Sequence, residues 1–190
     1  MDWLRSIDVS LFHWINSGLS NPLFDALLPL LRNRLFWAPL YVFVVAFMLE
    51  NFGLRKGWIM LAGLLLAVGL SDFTSSTLIK KNVQRLRPCN DIRLETTVVE
   101  RIPCGSGYSF TSSHAANHFA VAVYLVAVLG VAAPWAGRVF LTWAALVAFS
   151  QIYVGVHFPF DVLGGGILGS VIGWWVYRAF RGMGWIGYKN

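Results

Sequence analysis

The stretch W-I-M-L-A-G-L-L-L-A-V-G-L-S-D-F-T-S-S-T-L-I, residues 58–79, is apolar over most of its length. About 20 such residues cross a hydrocarbon core of about 30 Å, and this segment is long enough. Four further apolar stretches accompany it, at 35–49, 115–133, 139–156 and 159–180. The first is short, but Pro39 and its flanking aromatics still fit a span. Composition agrees, with 57% hydrophobic, 15% aromatic and 13% charged residues among 190 and a mean hydropathy of +0.62. A soluble domain carries about 25% charged residues, so lipid is the solvent for much of this chain. The expected fold is an all-α integral membrane bundle of about five transmembrane helices, forming a single domain over 1–190.

Ahead of the spans, residues 2–17 read differently. Leu4, Ile7, Leu11, Trp14 and Ile15 recur at helical spacing, with Arg5, Asp8 and Ser10 off that stripe. This pattern predicts an amphipathic helix lying in the membrane interface. A second short helix is expected over 21–31, so that 1–31 is interfacial and 32–180 forms the bundle. Trp3, Trp14, Trp37, Trp58, Trp135, Trp174 and Trp175 mostly fall near span ends, where interfacial aromatics belong. No cleavable signal peptide is visible after Met1, and the internal spans are expected to direct insertion. His13 belongs to the amphipathic helix and is assigned no chemistry.

One long polar stretch, 80–113, separates the second and third spans. A loop of that length in a compact protein is usually functional. With five crossings, this loop shares one membrane face with the connection between spans four and five. Arg55, Lys56, Arg138, Arg178, Arg181 and Lys189 mark the opposite face, which the positive-inside rule assigns to the cytoplasm. The shared face is therefore read as outward, and its own basic residues are read as serving phosphate chemistry. The net charge of +6 suits anionic head groups and phosphates. Basic residues scattered among spans do not suggest a nucleic-acid partner.

Three polar clusters converge on that face: K-K-N-V-Q-R-L-R-P at 80–88, S-F-T-S-S-H at 109–114, and S-Q-I-Y-V-G-V-H-F-P-F-D at 150–161. Lys80 and Arg87 supply fixed positive charge, and arginine's planar fork matches phosphate oxygens. Ser112 and Ser113 precede an apolar helix whose free N–H groups offer an anion site, with His114 in its first turn. His157 and Asp161 stand four residues apart, with Pro159 at a first helical position between them. The carboxylate can then fix the imidazole tautomer and leave the other ring nitrogen free to attack. A nucleophile, an acid for the leaving oxygen and cations for the phosphoryl oxygens are what phosphoryl transfer requires.

These residues resemble the type 2 phosphatidic acid phosphatase superfamily of membrane lipid phosphatases. That family shows Lys-x6-Arg-Pro, Pro-Ser-Gly-His and Ser-Arg-x5-His-x3-Asp motifs in this order. Here they correspond to Lys80, Arg87 and Pro88, then Ser112, Ser113 and His114, then Ser150, Gln151, His157 and Asp161. The resemblance covers 80–166 and implies that His157 is the nucleophile, Asp161 orients it and His114 protonates the leaving group. It also implies that Lys80, Arg87, Ser112, the Ser113 amide and Gln151 hold the phosphate, with no metal or other cofactor. Gln151 stands where the family has Arg and Ser113 where it has Gly; Lys81 and Arg85 are candidates to restore the missing charge. By resemblance the substrate is a polyprenyl pyrophosphate, a phosphatidylglycerophosphate or a lipid A, handled at the outer face of a bacterial inner membrane.

Plainer readings stand beside these. Lys80, Lys81, Arg85 and Arg87 also suit the anchoring of a span end to head groups, and Ser112–Ser113 suits a simple helix cap. The i, i+4 pairs His114–His118 and His157–Asp161 also suit a metal, though a metal gives no reason for Lys80 and Arg87. His118 is read as a packing residue, and Asp72, inside a span, as a hydrogen-bonding partner between helices or a functional acid. Cys89 and Cys104 both lie in the loop, where an oxidising compartment permits a disulfide. A phosphotransferase with the same residues, a transporter for anions and an inactive binding protein are the other function classes. Oligomeric state is not legible.

Overall fold

The computed structural model describes residues 2–94, 96–130 and 133–186, so the expected cytoplasmic marker Lys189 lies outside the described residues. Its elements run α1 (Asp2–His13), α2 (Pro22–Leu31), α3 (Ala38–Phe52), α4 (Leu54–Asp72), α5 (Lys80–Val83), α6 (Ser113–Leu129), α7 (Ala136–Tyr153) and α8 (Pro159–Gly182). A π-helical stretch, Phe73–Ile79, joins α4 to α5 without a break. The protein is all-helical and embedded in the membrane. Among the described residues, three segments are long and apolar enough to cross it: Arg34–Phe52, Leu54–Asn90 and Pro159–Gly182. The expected five crossings need α6 and α7 as well; α6 is apolar but has 17 residues.

The outer surface of the bundle is apolar, with Leu65 72% and Trp175 74% exposed. Lipid removes the hydrophobic drive between such helices, and close van der Waals packing replaces it. The α6–α8 contact is built that way. A Cβ on Gly165, Gly169 or Gly173 would lie 2.4, 1.9 and 2.4 Å from the carbonyl oxygens of Ser112, Ala116 and Ala120. Glycine every fourth residue on α8 therefore lets the two backbones meet along a line of small residues. That line ends at Ser112, the N-cap of α6. Deeper in the bundle, Tyr124 is fully buried and donates to the Met60 carbonyl at 2.9 Å, tying α6 to α4.

Under the polar end, Phe12, Ile15, Leu28, Tyr153, Val154 and Phe158 form a second core. The N-terminal helices thus dock on the α7–α8 connection. The expected apolar stripe is turned outward at Leu4, Ile7, Leu11 and Trp14, but its Ile15 is buried, as are Asp8, Phe12 and Asn16. Asn16 fastens the long loop, donating to the Val99 and Tyr153 carbonyls and accepting from the Val99 N–H. Arg101 adds bonds to the Asn16 and Tyr153 carbonyls and lies over the Tyr153 ring. Cys89 and Cys104 are disulfide-bonded, closing the loop on itself.

Candidate active site

The end of α4–α5, the start of α6 and the α7–α8 connection meet at one end of the bundle. Ser112 caps α6 with its side chain accepting from Ala115 N–H at 3.4 Å. Its own N–H donates to the Asp161 carbonyl at 2.9 Å, which ties the start of α6 to the start of α8. Ser113 pairs with Ser75 of the π-helical stretch at 2.9 Å between hydroxyls. The π turns aim Ser75 inward, where it also meets Thr111.

His157 is buried in the α7–α8 connection, its N–H donating to the Gln151 carbonyl at 3.2 Å. Its Nδ1 lies 3.6 Å from Asp161 Oδ2, beyond direct hydrogen-bond length. Ser109 fills the gap: its hydroxyl donates to Asp161 Oδ2 and stands 3.3 Å from Nδ1. With that hydroxyl proton committed to the carboxylate, the Ser109 oxygen is free to accept from Nδ1–H. The proton then sits on Nδ1, and Nε2 keeps its lone pair. Burial pushes the His157 pKa down to about 4, against the opposing pull of Asp161. The ring is therefore neutral at physiological pH, as a nitrogen nucleophile must be.

Asp161 is fully buried and held from three sides. Besides Ser109, Phe158 N–H donates to Oδ2 at 2.8 Å and Arg85 Nη1 donates to Oδ1 at 2.7 Å. Arg85 also reaches Asp8 of α1 at 2.6 Å and lies over the Phe158 ring at 4.0 Å. Asp8 accepts the Phe160 N–H at 2.9 Å as well; burial raises its pKa, opposed by these two donors. Arg85 is thus committed to two carboxylates and is not the spare cation that its place in the first cluster suggested. Lys81 is exposed.

The other basic groups divide cleanly. Arg5, Arg93 and Arg101 are paired with Asp91, Asp91 and Asp25. Lys80 and Arg87 have no ion pair among the described residues, and Arg87 Nε donates only to the Gly107 carbonyl at 3.3 Å. Both act electrostatically on His157. His114, in the first turn of α6, is within electrostatic reach of His157 and Lys80. Unpaired cations acting on two histidines are suited to a transferable phosphoryl group.

Gln151 is buried with its Nε2 turned toward Val147 O and Ser150 Oγ, both at 3.3 Å. His118 bonds the His114 carbonyl and packs on Trp143. Asp72 accepts from Asn117 of α6 at 3.0 Å, joining two helices. Among the described residues no group of three or more His, Cys, Asp or Glu side chains converges to hold a metal.

Sequence reading missed Ser109, Asp8 and Arg32. Ser109 stood at the edge of a quoted cluster, and Asp8 had only its place off the apolar stripe as a signal. Arg32, at the end of α2, lines a cavity of about 760 Å³ together with His114, Ser113, Asp72 and many apolar side chains.

The chain is similar to several known proteins. A lipid A 4'-phosphatase of Bacteroides thetaiotaomicron is 26% identical over 182 residues, covering 93% of this chain and 78% of that protein. An undecaprenyl-diphosphatase of Sulfolobus acidocaldarius is 31% identical over 137 residues, 65% of this chain and 64% of that protein. The crystal structure of a PAP2-type phosphatidylglycerolphosphate phosphatase from Bacillus subtilis superposes with a TM-score of 0.72 at 25% identity, covering 96% of this chain and 88% of that one. Residues 57–185 match the PAP2 superfamily model, spanning every candidate catalytic residue, and the chain belongs to that superfamily.

Proposed function

We propose that this membrane phosphatase hydrolyses a lipid phosphate or diphosphate through a phosphohistidine on His157, without a metal, at the outward face of a bacterial inner membrane. The single observation that carries the mechanism is the His157–Ser109–Asp161 arrangement beside the unpaired Lys80 and Arg87. In the first step His157 Nε2 bonds to phosphorus while the P–O bond to the lipid breaks. His114 gives its proton to the departing oxygen. Lys80, Arg87 and the N–H groups at the start of α6 neutralise the phosphoryl oxygens. Water then attacks phosphorus, the P–N bond breaks, and His114 takes the water's proton. Inorganic phosphate leaves and both histidines return to their starting forms.

The outward orientation is supported by the Cys89–Cys104 disulfide at the catalytic end. Arg55, Lys56, Arg138, Arg178 and Arg181 fall at the opposite ends of a five-crossing layout made of α3, α4, α6, α7 and α8. Relatives named for lipid A and undecaprenyl diphosphate support a lipid substrate.

The test is phosphate release in mild detergent from a panel of prenyl diphosphates, phosphatidylglycerophosphate and lipid A, with excess EDTA. Release that resists EDTA is expected. Release that EDTA abolishes and a divalent metal restores would instead favour metal chemistry.

A further inference from the structure

Arg32 caps the end of α2 through its backbone, with its N–H donating to the Leu30 carbonyl. Its side chain makes no hydrogen bond or ion pair among the described residues. The guanidinium Nε is buried without a hydrogen-bond partner, and no carboxylate pairs with it among the described residues. The charge that acts on it most is Arg87, which repels it. A buried donor without an acceptor, beside a second cation, is costly unless an anion occupies the space.

The cations also bear unequally on the two histidines. Arg87 and Lys80 are the leading positive charges on His157, while Arg32 leads on His114, ahead of Lys80. Lys80 thus acts on both histidines, whereas Arg32 acts on His114. Arg32 further lines the cavity of about 760 Å³ that begins at His114 and continues between Val44, Leu61, Leu65 and Leu125. It stands where a catalytic acid gives way to an apolar channel, the place where the leaving group begins and its lipid tail follows.

We infer that Arg32 binds the leaving-group phosphate of a lipid diphosphate and makes the site selective for diphosphates over monophosphates. This rests on the reaction proposed above, with His114 as the acid. When His157 attacks the terminal phosphorus, the bridging P–O bond breaks and the electron pair stays on the lipid monophosphate. Arg32 neutralises that growing charge while His114 supplies the proton. A monophosphate ester leaves as an alcohol and gives Arg32 nothing to bind.

Binding of inorganic pyrophosphate and inorganic phosphate is measured by isothermal titration on the detergent-solubilised chain. Wild type, Arg32→Gln and Arg32→Lys are compared. Arg32→Gln is expected to weaken pyrophosphate binding roughly tenfold to hundredfold and phosphate far less, with partial recovery in Arg32→Lys. Its thermal midpoint should match wild type, since the side chain makes no internal bond. Equal weakening of both anions, no weakening, or no pyrophosphate binding by wild type overturns the inference. In parallel, the ratio of kcat/KM for farnesyl diphosphate over farnesyl phosphate should fall about tenfold or more in Arg32→Gln. Wild type that binds pyrophosphate through Arg32 but releases no phosphate from either lipid defeats the hydrolase reading alone. Wild type that hydrolyses both lipids with a ratio untouched by Arg32→Gln defeats the Arg32 inference alone.

Discussion

The Arg85 guanidinium donates to Asp161 Oδ1 at 2.7 Å, so the carboxylate behind His157, the proposed nucleophile, is anchored by a loop residue 76 positions away in sequence. The same guanidinium holds Asp8 at 2.6 Å, and α1 thereby becomes a support of the site. Arg85 is one-quarter exposed, whereas both carboxylates are essentially buried.

Removing Arg85 strands two buried carboxylates. Arg85→Ala is expected to cost about 3–5 kcal/mol, the magnitude for breaking a buried ion pair from one side. A lowered thermal midpoint in detergent, with kcat reduced more than KM is raised, is the expected result. An unchanged midpoint would mean that the bridge is not a support.

The α6–α8 seam makes a steric prediction. Gly169→Ala places a methyl group 1.9 Å from the Ala116 carbonyl oxygen, so the helices must separate. Overpacking of this kind costs about 1–3 kcal/mol, and the separation pulls Asp161 away from Ser112 and His114. Loss of both stability and phosphate release is expected. Gly182→Ala, with nothing within 4 Å of its added carbon, should behave as wild type. Equal behaviour of the two variants would contradict the packing argument.

Acid sensitivity follows from His157. Its folded pKa, about 4, lies below the ordinary 6.5, so the unfolded chain takes up a proton that the folded site refuses. The stability contribution is complete above pH 6.5 and is lost as pH falls from 6.5 towards 4. Wild type should therefore lose more thermal midpoint between pH 7 and pH 5 than His157→Gln does. The acid limb of kcat/KM, which reports the free enzyme, should lie well below the ordinary histidine range. A limb at about 6.5 would contradict the buried neutral ring.

Much of this was legible in the residues. Helix positions followed from apolar length, and the expected 159–180 span was found as Pro159–Gly182. Local spacing placed His157 four residues before Asp161, and the N-cap expected among the serines before the third span is Ser112. What stayed hidden depends on docking across the chain. Asp8 reads as the polar side of an interfacial helix, and only its burial against the α7–α8 connection turns it into a partner for Arg85. Arg32 reads as a basic residue at a helix end; its side chain gains meaning only where the cavity brings it to His114. Seven residues of π-helix, Phe73–Ile79, were equally invisible, because apolar length does not distinguish α from π turns. The disulfide was open until the loop path brought Cys89 to Cys104.

The most direct test of the central claim is covalent trapping. Wild type is mixed with a lipid diphosphate carrying a radiolabelled terminal phosphate, quenched in alkali within one turnover and digested. An alkali-stable, acid-labile label on the peptide containing His157, formed in EDTA and absent from His157→Ala, is the expected result. Continued EDTA-resistant phosphate release by His157→Ala, or label recovered on a serine peptide, would contradict it.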